Sequence, residues 1–329
     1  MGLLVQPRLI NDPCGDPGLY LDFRFGRRAM LFDLGDTTPL SPRELIRVSH
    51  VFVSHAHMDH IAGLERLFRL RLHRPQPLQF LGPAGFVDQM ESRLGSYTWN
   101  LLDETSVDFR LSVQAFDGGR IVEAAEFHAR RRFLRCDVPV PELGDGLVLS
   151  EPEFEVRSLA FDHGIPSLGF AFRQRIRVNV WRNALDEMGL PVGPWIDIAK
   201  RAMRDGLPDR HRISVPGAGE VSLGLLRARV FRSEKGQHFA YVTDVADTAD
   251  NRALIMELAG GADHLFIEAV FPDADRAFAT ATRHLTARAA GEIARAAGVA
   301  GLTPFHHSAR YADRAAALAA EALTAYATG

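Results

Sequence analysis

His55, His57, Asp59 and His60 fall in a single run, H-x-H-x-D-H, directly after the apolar stretch Val51-Phe52-Val53-Ser54. Along extended backbone, side chains two apart point the same way, so His55 and His57 can hold one metal ion together. Asp59 and His60 sit where the chain turns and can face a second ion. A pair of metal ions about 3.5–4 Å apart activates water against phosphorus or carbonyl centres. The competing reading is a chance cluster of surface histidines or a pH-sensitive loop, and the density of ligand-type residues in this run disfavours it.

A two-metal centre needs more ligands than one loop provides, and His or Asp stands at three later strand ends. His163 follows Leu159-Ala160-Phe161-Asp162 and precedes Gly164-Ile165-Pro166-Ser167. Asp244 closes an apolar stretch, His238–Thr243, where a carboxylate can bridge two ions. His306 closes Gly301-Leu302-Thr303-Pro304-Phe305. Asp247 and Asp250 compete with Asp244, which is favoured, and His307 competes with His306. Imidazole and carboxylate ligands without thiolate suit zinc, with manganese or iron as substitutes. Two such cations lower the pKa of a shared water and stabilise charge on a phosphodiester as it reacts.

The elements that must carry these residues alternate in period. Leu19–Phe25, Ala29–Phe32 and His50–Val53 read as strands, and Ile61–Leu72 reads as one helix ended by Pro75 and Pro77. A second sheet-like stretch runs through Phe109–Phe116, Ile121–Phe127, Phe154–Phe161 and Leu168–Phe172. Residues 173–230 differ, being rich in Arg, Gly and Pro, with one helical candidate at Trp195–Arg204; they read as an insertion. Thereafter strand His238–Thr243, helix Asn251–Ala259, strand His264–Ala269, helix Thr286–Ala297, strand Val299–Phe305 and an Ala-rich helix follow. The pattern predicts two α/β halves packed face to face, with ligands at strand ends.

Composition sets the outer bounds. The chain has 329 residues, 47% hydrophobic and 24% charged, with a formal charge of −3. That is ordinary for a globular protein and shows no global nucleic-acid-binding surface. Cys14 and Cys136 are isolated and predict neither a disulfide framework nor a thiolate site. No apolar run spans a bilayer, and the first residues lack a basic, then apolar, leader pattern, so a cytoplasmic location is expected. Lys200, Arg201, Arg204, Arg210 and Arg212 lie close together near Trp195 and can form a local patch for RNA phosphates, against the simpler reading of a solvated face balanced by Asp197, Asp205 and Asp209. Arg130, Arg131 and Arg132 form a second basic run.

The motifs resemble the metallo-β-lactamase superfamily, and within it the ribonuclease Z branch. His55-Ala56-His57-Met58-Asp59-His60 matches the superfamily's first motif. Phe161-Asp162-His163-Gly164-Ile165-Pro166-Ser167 resembles the segment around the branch's third metal-binding histidine. Ile267-Glu268-Ala269-Val270-Phe271 resembles H-E-A-T-F, with Ile267 in place of the histidine, and His284 resembles the histidine opening the next helix. His306-His307-Ser308-Ala309-Arg310-Tyr311 resembles H-x-S-x-R-Y, and Gly189-Leu190-Pro191-Val192-Gly193-Pro194 resembles a G-I-P-x-G-P segment of the substrate-contacting insertion. The branch's N-terminal G-T-x-x-x-x-P is not recognisable in Met1–Leu19, and Val242-Thr243-Asp244-Val245 stands where G-D-T is usual.

The resemblance implies a single domain over residues 1–329, a four-layer αββα sandwich with a dinuclear metal site at the sheet edge, and the insertion at about 173–230. It implies one zinc ion on His55, His57 and His163 and another on Asp59, His60 and His306, with Asp244 bridging and Asp33 orienting a ligand. Asp59 would accept a proton from water, and His284, oriented by Glu268, would protonate the leaving oxygen. Lys200, Arg201, Arg204 and Arg310 would hold the substrate, and the chain would form a homodimer. His50, His73, His128, His211, His238 and His264 match nothing and read as structural or surface residues. The leading expectation is a metal-dependent phosphodiesterase that hydrolyses RNA through a metal-activated hydroxide, with precursor tRNA 3′ trailers as the candidate RNA. Its competitors are a hydrolase of a small phosphodiester, ester, lactone or thioester, and a non-catalytic RNA-binding scaffold, which the complete ligand set disfavours.

Overall fold

The computed structural model describes residues 3–328. Ala29-Met30-Leu31-Phe32 is a strand buried on both faces, which is what an unbroken apolar run dictates. Ala29 and Leu31 point into one core with Leu64, Leu67 and Phe68 of helix Leu64–Arg71 and with Phe86, Val87 and Met90 of helix Phe86–Gly95. Phe32 turns to the other face, where its ring stacks 5.2 Å from Phe170 and lies 5.9 Å from Tyr241. Those two residues sit on strands Pro166–Gln174 and His238–Val242 of a second sheet. The second sheet buries Ala240, Val242, Leu265 and Ile267 against helices Ala249–Ala259, Ala287–Ala296 and Ala315–Ala327. The layers therefore run helix, sheet, sheet, helix, the expected αββα sandwich.

The first sheet has eight strands in chain order, from Val5–Leu9 to Arg135–Asp137. Its central strands Ala29–Phe32, Val48–Phe52 and Leu78–Pro83 are parallel, so their C-terminal ends share one edge. The second sheet has six strands, and Leu302–Phe305, His264–Glu268 and His238–Val242 are likewise parallel neighbours. Asp33, His55, Asp244, Glu268 and His306 all lie at or just past such ends.

Several boundaries move from expectation for local reasons. The strand expected at Leu19–Phe25 stops at Phe23, because Arg24–Arg28 turns to pair Leu19–Phe23 with Ala29–Phe32. The single helix expected at Ile61–Leu72 is two, Met58–Ile61 and Leu64–Arg71, broken at Gly63. The Gly63 amide donates to the Leu34 carbonyl at 2.8 Å, and a Cβ there would stand 2.5 Å from the Gly35 carbonyl oxygen. Thr286 is the N-cap rather than the first turn of its helix, its hydroxyl accepting from the Ala289 amide.

Residues 150–155 and 173–237 form a second compact unit, which contains the segment read as an insertion. It is richer in structure than one helix: Arg182–Glu187 and Leu223–Arg229 join Trp195–Arg204 around a core of Leu185, Trp195, Met203, Ile213, Leu226 and Phe231. Among the described residues no helix is long and apolar enough to cross a membrane.

At Gly291 helices Ala287–Ala296 and Ala315–Ala327 approach closely: a Cβ there would fall 2.1 Å from the Ala322 carbonyl oxygen. Alanine gains about 1 kcal/mol of intrinsic helix preference over glycine, whereas overpacking against rigid backbone costs about 1–3 kcal/mol. Gly291→Ala is expected to lower the thermal midpoint by about 2–5 °C, read by calorimetry, and an unchanged or raised midpoint would show that the helices can separate without cost.

Candidate metal centre

His55 and His60 are fully buried behind the strand Val48–Phe52, and their rings are 4.2 Å apart. Asp33 fixes this corner. Its Oδ1 accepts from the Ser54 amide at 2.7 Å, and its Oδ2 accepts from Ser54 Oγ at 2.9 Å, His60 Nδ1 at 2.9 Å and Tyr241 Oη at 3.0 Å. A proton on His60 Nδ1 leaves Nε2 as the lone-pair donor, which is the tautomer a metal ligand needs. His163 is set the same way, its Nδ1 donating to the Arg283 carbonyl at 2.9 Å.

The other ring nitrogens converge on Asp244. Its Oδ2 lies 3.6 Å from His55 Nε2 and 3.4 Å from His163 Nε2. Its Oδ1 lies 3.4 Å from His60 Nε2 and 2.9 Å from His306 Nδ1. His57 joins the first set, its ring 4.3 Å from that of His55 and 5.6 Å from that of His163. Asp59 joins the second, its Oδ2 3.5 Å from His60 Nε2 and 3.4 Å from His306 Nε2. Ligand atoms of His55, His57, His163 and Asp244 thus lie within 4.8 Å of one another, as do those of Asp59, His60 and His306. The structure brings together all seven residues expected to bind metal, and the two oxygens of Asp244 face different sets.

The residues that compete with them in sequence point elsewhere. Asp247 is committed to Arg252, with contacts of 2.5 and 3.0 Å, and Asp250 is exposed in the first turn of the next helix. His307 turns away and its Nδ1 donates to the Ala269 carbonyl at 2.7 Å.

The donor set fits cations on its own terms. The Nε2 atoms of His55 and His60 are buried and make no hydrogen bond, lying 3.6 and 3.4 Å from the Asp244 carboxylate, a loss of solvation that an ion taking their lone pairs would relieve. Burial, with neighbouring His60, pushes His55 down to about 3. Burial also opposes charge on His60, but Asp244 and Asp33 overcome it and lift that ring to about 10. His306 is likewise held well above its usual range by Asp244 and Asp59 against the effect of burial, while His306 and His60 keep Asp244 ionised although burial disfavours its charge. Protons therefore take the place that cations would occupy, and ligation must expel them.

Beside the cluster, Glu268 is fully buried and accepts from the Leu285 amide at 2.9 Å and from His284 Nδ1 at 2.8 Å. Burial works against charge on both, yet their contact brings Glu268 down to about 2 and raises His284. His284 shares the wall of an open cavity of about 600 Å³ with His57, Asp59, His163, Asp244 and His306. Ser54 and Tyr241, which anchor Asp33, were not singled out from sequence. Ser54 adjoins the histidine run, and Tyr241 is the one hydroxyl-bearing residue in the strand His238–Val242.

Lys200, Arg201 and Arg204 lie on helix Trp195–Arg204, whose opposite face buries Trp195, Ile196, Ala199, Ala202 and Met203; Arg204 sits 3.8 Å from Glu153. Arg310 is exposed, its guanidinium 4.6 Å over the Phe278 ring.

Zinc loading of the metal-free protein is expected to release protons at neutral pH and to weaken as pH falls, because the imidazoliums of His60 and His306 compete with the ion. Calorimetry in two buffers of different ionisation heat measures that release, and zero net release would refute this account of the site. Asp33→Asn should weaken metal binding by about 10–100-fold while leaving the fold intact, and His57→Ala should remove metal and activity together.

Residues 16–132 match the family model described as Beta-lactamase superfamily domain. The chain is 28% identical to a ribonuclease Z of Deinococcus radiodurans, covering 94% of this chain and 92% of that protein. It is also 28% identical to a ribonuclease Z of Brevibacillus brevis, over 90% of this chain and 80% of that one. Among solved structures, the metallo-beta-lactamase fold protein YhfI from Bacillus subtilis superposes with a TM-score of 0.56 at 15% identity, covering 98% of this chain and 92% of that one. The chain is thus similar to the metallo-β-lactamase superfamily over residues 16–132 and to ribonuclease Z proteins along most of its length, on a metallo-β-lactamase fold.

Proposed function

We propose that the chain is a metal-dependent phosphodiesterase that hydrolyses RNA, with precursor tRNA 3′ trailers as its substrate, and that it works in the cytoplasm as a homodimer with two zinc ions. The observation that carries the catalytic reading is Asp244, whose two carboxylate oxygens face two separate sets of imidazoles, with the His284–Glu268 pair on the wall of the same cavity. His55, His57 and His163 would hold one ion and Asp59, His60 and His306 the other, with Asp244 shared. Two cations bound there would supply Lewis acidity toward a phosphodiester and would acidify water.

The chain's own residues then manage the protons. Water adds to phosphorus, the bond from phosphorus to O3′ breaks, and one proton must leave the water while another reaches O3′. Asp59 is the acceptor. Its carboxyl sits at about 2, where the His306 contact outweighs the opposing effect of burial, so it is ionised at neutral pH. His284 is the donor. Its Nδ1 is held by Glu268, whose charge raises the ring's pKa and favours its protonated form against burial, and Nε2 carries the proton given to O3′. The products are a 3′-hydroxyl and a 5′-phosphate. Glu268 stabilises the imidazolium before transfer and positions the ring after it.

Lys200 and Arg201, on the polar face of their helix, are proposed to hold RNA phosphates, with Arg204 and Arg310 as further contacts. A small diester needs no such arm, so the two substrates separate the roles of the two units.

Chelator-sensitive cleavage of a precursor tRNA at its 3′ trailer, measured beside turnover of bis(p-nitrophenyl) phosphate, tests the whole reading; turnover of the small diester alone would replace it with a small-substrate hydrolase. His284→Ala is expected to retain metal and to slow cleavage by about 10²–10⁴-fold. The wild-type rate should fall as pH rises through the raised His284 value, because only the charged ring can donate. That alkaline limb should vanish in the variant, and its persistence would remove His284 from the role. Lys200→Gln with Arg201→Gln should reduce kcat/KM on RNA by about tenfold, flatten the salt dependence by about 0.7–0.9 per lost contact, and leave the small diester untouched. Sedimentation equilibrium reads the dimer.

A further inference from the structure

Away from the metal ligands, the N-terminal ends of the three central parallel strands enclose a cavity of about 860 Å³. Its wall carries six arginines, Arg27, Arg28, Arg43, Arg47, Arg71 and Arg74, and no acidic side chain. Each comes from a segment just before a strand: Arg27 and Arg28 before Ala29–Phe32, Arg43 and Arg47 before Val48–Phe52, Arg71 and Arg74 before Leu78–Pro83. The same strands end at Asp33 and beside His55, so the cavity lies a strand's length, roughly 17 Å, from the metal-ligand edge.

Part of this wall is rigid. Arg71 is only 3% exposed, and its two terminal nitrogens donate to the carbonyls of Ile46, Val48, Gln76 and Pro77. Its Nε is buried with no hydrogen-bond partner. Arg28 donates through Nε to Ser49 Oγ at 2.8 Å, and its Nη2 lies 3.1 Å from Nδ1 of the buried His50. Arg47 meets a carboxylate, that of Asp22 at 2.6 Å. Arg27, Arg43 and Arg74 make no ion pair among the described residues. Arg71 ties two strand entries together, and Arg28 and Arg47 are likewise bound to their neighbours, which leaves the exposed guanidiniums of Arg27, Arg43 and Arg74 as the ones without an ion pair among the described residues.

We propose that this cavity is a second binding site, for a compact anion carrying several phosphate groups. Guanidinium forks match phosphate oxygens two at a time, and several converging on one recess repel one another until a multiply charged anion enters. One singly charged anion would leave most of that repulsion in place. The recess has the size of a small-molecule site, about 300–1,000 Å³, and no aromatic ring lines it to stack a base, which favours a compact polyphosphate over a nucleic acid strand. The site is independent of the proposed phosphodiesterase activity.

The test is calorimetric titration of the metal-loaded protein with inorganic tripolyphosphate at low salt, beside inorganic phosphate and a single-stranded RNA oligomer. One tripolyphosphate should bind per chain, at least tenfold more tightly than phosphate. Binding should weaken tenfold or more in the combined variant Arg27→Gln, Arg43→Gln and Arg74→Gln, whose side chains carry no ion pair among the described residues. That variant should keep its thermal midpoint and its turnover of bis(p-nitrophenyl) phosphate. His57→Ala should bind tripolyphosphate as the wild type does. Loss of binding in His57→Ala with retention in the arginine variant would place the anion at the metal centre and overturn the proposal. Absence of tripolyphosphate binding, equal affinity for phosphate, or arginine-dependent capture of RNA alone would each overturn it as well.

Discussion

Everything at the catalytic edge depends on holding five imidazoles around one buried carboxylate, that of Asp244. In a low-dielectric pocket such a cluster is costly: protons or cations must balance the acids, and lone pairs without partners lose their solvation. The fold meets this by making the strand ends rigid. Asp33, Asp244 and His306 each follow a largely buried strand and each takes a left-handed backbone, with φ of 55°, 47° and 56°. Asp and His tolerate that region better than most residues, though it still costs of order 1 kcal/mol or more at each position. The turn it produces swings each side chain across the strand ends toward its partners.

A second tier of bonds makes the first tier usable. Asp33 spends its carboxylate on two bonds from Ser54 and one each from His60 and Tyr241, and the Arg283 carbonyl does for His163 what Asp33 does for His60. Tyr241 comes from the second sheet and Asp33 from the first, so the inter-sheet aromatic layer of Phe32, Phe52, Phe170 and Tyr241 is also what registers the two ligand sets against each other. Gly35 and Gly63 complete this registration. A Cβ at Gly35 would stand 2.2 Å from the Asp59 carbonyl oxygen, so the loop after Asp33 can close on the histidine run only where no side chain intervenes.

The two ends of the central strands serve different chemistry. Their C-terminal ends gather carboxylates and neutral-capable imidazoles, which suit cations, while their N-terminal ends gather guanidiniums, which suit phosphate. Parallel strands make this separation possible because every residue that enters a strand lies at one edge and every residue that leaves lies at the other. His50 belongs to the basic end: burial and then Arg28 hold it down at about 3, so it stays neutral beside a guanidinium rather than adding to the charge. It read from sequence as a structural histidine, and that is the place it takes.

The local sequence was sufficient for whatever depends on neighbours along the chain. The H-x-H-x-D-H run, the apolar stretches that become buried strands, and the ligand-type residues at their ends were legible because periodicity and strand-end position are local properties. Strand-end position favours Asp244 over Asp247 and His306 over His307, but composition and spacing do not exclude the second member of either pair. Arg252 removes Asp247, and the Ala269 carbonyl removes His307; both contacts exist only in the folded chain. The Asp59 and His306 pair spans 247 positions and the Asp33 and Tyr241 pair 208, separations at which no local pattern carries information. The break at Gly63 escaped for the same reason, since the helical face of Ile61–Leu72 continues through a glycine whose backbone is claimed by Leu34 and Gly35. The arginine cavity is the extreme case: its six residues are scattered over 48 positions in three separate strand entries, and only the parallel sheet makes them neighbours.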